Sequence, residues 1–142
     1  MDLQTIAYAA DGAHGPGRQR VYTSPLDLEA TVAALEEAVA AEDLWVVAKL
    51  DPQMLLAKGG FAIRPARQIF YFHPRFMSRL LQANPAAIVE APLKVVAMAG
   101  PDGSVSLRHP DVAAAFASYP GMSEIAAELE AITQRIIARV AG

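Results

Sequence analysis

Four times along this chain a stretch of strand character stops at a capping residue followed by proline. The pairs are Ser24-Pro25 after RVYTS, Asp51-Pro52 after LWVVAKL, His73-Pro74 after ARQIFYF, and His109-Pro110 after SVSLR. Proline has no N–H and a fixed φ, so it cannot extend a strand ladder but can open the first turn of a helix. Each pair therefore predicts a strand handing over to a helix, with the preceding residue as N-cap. The apolar runs between these stops are strand-length and too short to cross a membrane. Such a chain must fold as short strands and helices around one core, which is an α+β domain.

The spacing of apolar residues fills in the elements. Leu28, Val32, Leu35 and Val39 recur as one face of a helix that leaves Glu29, Glu36 and Glu37 outside. Asp43 is placed to end that helix, because Asp tolerates the left-handed region better than most residues. LWVVAKL is apolar on both faces and predicts a central strand. DPQMLLAKGG reads as a short helix closed by glycine, and PRFMSRLLQAN as a helix with Phe76, Met77, Leu80 and Leu81 on one side. PLKVVAMA and SVSLR are strands joined across GPDG in a hairpin. HPDVAAAFASY opens another short helix, and the last helix carries Ile125, Leu129, Ile132, Ile136 and Val140. Leu28, Val32, Leu35, Val39, Trp45, Val47, Ile69, Tyr71, Val95, Ile132 and Ile136 are expected to share one core. Upstream, LQTIAYAA suggests a first strand and DGAHGPG a glycine-rich loop, so residues 1–19 stand apart from a single domain over 20–142.

Composition excludes several classes. A chain of 142 residues buries one sizeable core, and a net charge of −3 lacks the basic face that a general nucleic-acid binder needs. With no cysteine there is no disulfide, thiol nucleophile or zinc–thiolate cluster. The N-terminus lacks the positive region and long apolar stretch of a secretory signal, so a cytoplasmic location is expected.

The order of elements and several strings resemble a known group. LDPQMLLAKGGFAIRPARQI, the X-Pro turn at HP, the APLKVVAM strand and the hairpin closing on RHPD are similar to domain of unknown function family 302, over about residues 20 to 140. The resemblance implies a β-α-β-β-β-β-α core, similar in plan to the TATA-binding-protein-like fold, with extra short helices and usually a homodimer. It implies no activity. Three positions depart from the family pattern. His73 stands where members commonly carry Asn, Asp43 where they carry Gly, and Ala91-Pro92-Leu93-Lys94 where many carry Cys, which removes any thiol-based role.

The stretch IFYFHPRF concentrates the candidate chemistry. His73 can act simply as the N-cap of the following helix. The same helix end, with Arg75 beside it, could instead receive a phosphate or carboxylate. The reading carried forward is a cytoplasmic homodimer binding a small, anionic, partly apolar ligand between sheet and helix. Its candidate residues are Arg67, Tyr71, His73 and Arg75, with no nucleic-acid or membrane partner and no cofactor. The alternative is a haem- or metal-binding protein using His73 with Met77, four residues along. His14 and His109 read as loop residues, His109 as a second helix cap and His14 as exposed. The carboxylate groups Glu36 with Glu37, Glu42 with Asp43, and Glu124 with Glu128 and Glu130 read as solvated helix faces, and an enzymatic role ranks last because no nucleophile or acid–base pair stands out.

Overall fold

The computed structural model describes residues 2–8 and 18–141. Along these run β1 (Gln4–Thr5), β2 (Gln19–Ser24), α1 (Leu28–Ala41), β3 (Trp45–Leu50), α2 (Pro52–Lys58), β4 (Phe61–Ala62) and β5 (Ala66–Phe72). Then come α3 (Pro74–Ala83), a 3-10 helix (Pro85–Glu90), β6 (Leu93–Ala99), β7 (Val105–Pro110), α4 (Val112–Phe116) and α5 (Ser123–Ala141). Removing the short pieces leaves β2-α1-β3-β5-β6-β7-α5, the expected β-α-β-β-β-β-α plan. The strands form an antiparallel sheet of five in the order β2-β7-β6-β5-β3, and β1 pairs with β4 in a separate parallel pair. The loop DGAHGPG, with His14, lies outside the described residues.

Register divides the main sheet into two unlike faces. Ile69 pairs with Val95, Ala97 with Leu107, and Leu107 with Tyr22, so these side chains share one face. Helices α1 and α5 lie against it: the Tyr71 hydroxyl meets that of Thr133 on α5 at 2.7 Å, and Ser24 meets Thr31 on α1 at 2.7 Å. This is where the core sits, built from Leu35, Val39, Ile69, Tyr71, Val95, Leu107, Leu129, Ile136 and their neighbours. The opposite face carries the row Val21, Arg108, Val96, Gln68 and Leu50, with Phe70, Met98 and Trp45 beside it. Val21, Leu50 and Trp45 on that face are exposed, and Phe70, Val96 and Met98 are half-buried.

Several expectations need correction. LWVVAKL, expected in the centre, is β3 at the sheet edge. Its double-sided apolar pattern arises because Val46 faces the core while Trp45 and Val47 face the other way, 56 % and 49 % exposed. Those two residues therefore leave the expected core, and Leu28 and Val32 sit half-buried at its edge. Helix α1 starts after Asp27, whose carboxylate accepts the Ala30 N–H at 2.8 Å, while Ser24 ends β2. Likewise α4 is capped by Asp111, which accepts the Ala114 N–H at 3.0 Å, and His109 is a buried member of β7 paired with Arg20. In both cases a carboxylate three residues downstream or two residues downstream of the read cap takes the role, and the residue before proline keeps the extended backbone that proline imposes on it. Leu81, expected on the packed side of α3, is exposed. The reading of Asp43 holds: its φ is 56°.

Candidate functional site

The strand-to-helix junction at His73 is built as its sequence requires. Pro74 occupies the first turn of α3 and has no N–H to satisfy. The Arg75 N–H donates to His73 Nδ1 at 3.1 Å, and the Phe76 N–H donates to the His73 carbonyl at 3.0 Å. The amides of the first turn are thus already used, leaving none to bind an anion. Arg75 turns back to α1, where its guanidinium donates to the carbonyls of Glu42 and Asp43 and caps that helix's C-terminus.

Tyr71 and His73 go to different places. Tyr71 is fully buried, and its burial pushes the phenol up to about 12, against the opposing pull of the Thr133 hydrogen bond. Arg67 lies at the other end of β5, donating to Asp51 at 3.0 Å beside Lys49 and Ile69. His73 lines a groove of about 410 Å³ with Trp45, Val47, Phe72, Met77 and Pro92. Its ring tilts against Trp45 with centroids 4.8 Å apart. The four candidate residues therefore do not converge: Tyr71, Arg67 and His73 line three different hollows.

The two described histidines hold opposite tautomers. His73 Nδ1 accepts an N–H, so in the neutral ring the proton sits on Nε2, which is a donor. Coordinating iron through Nε2 would require moving that proton to Nδ1 and breaking the cap. His109 has the reverse arrangement, because Nδ1 faces the Pro110 carbonyl at 2.8 Å and a carbonyl can only accept. Its Nε2 therefore bears the lone pair, is buried, and has no hydrogen-bond partner among the described residues. His109 is 3 % exposed, lies parallel to the Tyr22 ring at 5.7 Å, and burial lowers its pKa. It lines a cavity of about 330 Å³ between the sheet end, the 3-10 helix and α4. Among the described residues no group of three or more His, Cys, Asp or Glu is placed to hold a metal ion, and no helix is long and apolar enough to cross a membrane.

This arrangement of strands and helices matches a recognised family. The family model for "Domain of unknown function DUF302" matches residues 20–140. The chain belongs to the DUF302 family. A crystal structure of an uncharacterized conserved DUF302 protein from Bacillus stearothermophilus is similar to it, at a TM-score of 0.81 and 20 % sequence identity, covering 88 % of this chain and 99 % of that one. At that identity the likeness speaks for the shared fold. A comparison with curated proteins gave no match. In this DUF302 domain, sequence reasoning found the His73 junction but missed His109 as an unsatisfied group. The signal that could have revealed it is Asp111, a stronger cap than histidine, which frees His109 to belong to the strand.

Proposed function

We propose that this DUF302 domain works as a cytoplasmic homodimer that binds a small, partly apolar ligand. Two copies meet through the sheet face that α1 and α5 leave uncovered. The observation that supports this most is the exposure of Trp45, Val21 and Leu50 on that face, next to Phe70, Val96 and Met98. Fully burying an aliphatic or aromatic side chain contributes about 1.5–3 kcal/mol, so covering this face is strongly favoured. The same patch on both copies makes a two-fold contact that closes on itself.

The ligand's apolar part is accommodated by the groove of Trp45, Val47, Phe72 and Met77. His73 Nε2–H would donate to an oxygen of the ligand, such as one of a carboxylate. The direct test uses the chain's one tryptophan, Trp45. Octanoate, an apolar chain with a carboxylate, is expected to shift Trp45 fluorescence saturably, and Met77→Glu is expected to abolish the shift. A Trp45 signal unchanged by octanoate, in a protein that also carries no small molecule in native mass spectrometry, would overturn the ligand-binding part.

A further inference from the structure

The hollow of about 330 Å³ at the sheet end, bounded by the 3-10 helix and α4, poses a problem of charge. Its wall is mostly apolar, with Phe70, Leu93, Val112 and Ala115 among the residues that line it. Glu90, which ends the 3-10 helix, and Lys94 on β6 line the same hollow with opposite charges. Both are half-buried, yet among the described residues neither forms an ion pair or a side-chain hydrogen bond, with the other or with a third group. The Lys94 ammonium lies 5.9 Å from the centre of the Phe70 ring, which is part of the wall. The charged atoms of both remain accessible: among the described residues, the side-chain polar atoms buried without a hydrogen-bond partner are those of Tyr8 and His109. A purely anionic ligand would meet Lys94 but also face Glu90, and a cation would meet the reverse. A molecule carrying both signs finds an opposite charge for each.

We propose that this hollow binds a free α-amino acid with an apolar side chain. Glu90 accepts hydrogen bonds from the ammonium group of the amino acid, and Lys94 donates to its carboxylate, both contacts being charge-assisted. The side chain of the ligand lies on the apolar wall of Phe70, Leu93, Val112 and Ala115. A volume near the lower end of ligand pockets suits a molecule of that size. The site stands apart from the groove at Trp45, sharing with it only Pro92 of its lining, so either can fail without the other.

Three probes of nearly one shape separate recognition of the two charges from simple filling. L-phenylalanine carries both, 3-phenylpropanoate lacks the ammonium group, and phenethylamine lacks the carboxylate. Each is titrated into the full chain while the Ala115 methyl NMR signal is followed. L-phenylalanine is expected to shift that signal saturably and to bind about tenfold more tightly than either analogue, as one charge-assisted hydrogen bond allows. Glu90→Gln is expected to remove its advantage over 3-phenylpropanoate, and Lys94→Gln its advantage over phenethylamine. Both substitutions alter half-buried side chains that bear no structural bond, and circular dichroism checks that the fold is kept. Gly or Ser replacements are not needed, because Ala115→Leu fills the hollow without touching either charge and is expected to weaken all three probes. No binding of L-phenylalanine, equal affinity for the three probes, an advantage that survives in its own variant, or binding unaffected by Ala115→Leu would each overturn the proposal.

Discussion

Replacing Tyr71 with Phe tests how the core is held together at the point where β5 meets α5. The Tyr71 and Thr133 hydroxyls lie 2.7 Å apart and both residues are fully buried. In Tyr71→Phe the Thr133 hydroxyl loses its partner but can turn to a carbonyl one helical turn back, so the cost falls toward about 1–2 kcal/mol. In Thr133→Val the tyrosine hydroxyl stays in the core with no alternative partner, and the cost is about 1–3 kcal/mol. The double variant removes both polar groups and keeps the shape, so it is expected within about 1 kcal/mol of the wild type. Urea unfolding of the four proteins gives the interaction as a double-mutant cycle. The double variant is expected to be less destabilised than the sum of the singles. Additive effects would mean that the two hydroxyls do not depend on one another and that the helix–sheet contact is misread.

Three other outcomes follow from the same structure. Leu35→Ala, at the centre of the α1 face, is expected to cost about 2–5 kcal/mol, with thermal melts as the check. Asp43→Gly is expected to raise the melting temperature slightly, because Asp43 holds φ at 56° and its ion pair with Arg75 is largely exposed. For His109 the folded pKa lies below the unfolded one, near 6.5, so below that pH the unfolded chain binds the extra proton first. Its contribution to stability is therefore present above pH ~6.5 and is lost as pH falls toward the depressed folded value. His109→Phe should flatten that part of the melting-temperature profile and raise stability at pH 7; a profile identical to the wild type would contradict it.

Much of the fold was legible because period and punctuation agree. The stripes of α1 and α5, the GPDG hairpin and the strand-to-helix handover at His73 each follow from local residues whose tertiary setting changes nothing. Where reading failed, a property of the assembled sheet decided. LWVVAKL looks central because it is apolar on both faces, yet apolarity does not say whether a helix or a second molecule covers the outer one. Proline marked the ends of β2 and β7 correctly but not the caps, since Asp27 and Asp111 lie beyond it and bind the amides better than Ser24 or His109. The candidate site suffered from strand alternation and reach. Tyr71 and His73 are two residues apart, but the chain turns into α3 at His73, so one side chain enters the core and the other lines the outer groove. Arg75 looked available until the fold brought the C-terminus of α1 beside it.

Association through the sheet face turned away from α1 and α5 is tested most directly by light scattering coupled to size exclusion. At micromolar concentration the wild type is expected to show twice the 15.1 kDa chain mass. Val96→Glu puts a carboxylate in the middle of that face, directly opposite Arg108, where a single copy tolerates it and an apolar contact between copies does not. That variant is expected to elute at the mass of one chain with its circular dichroism unchanged. A wild type that remains at 15.1 kDa as concentration rises, or a Val96→Glu variant that still doubles, would contradict the account.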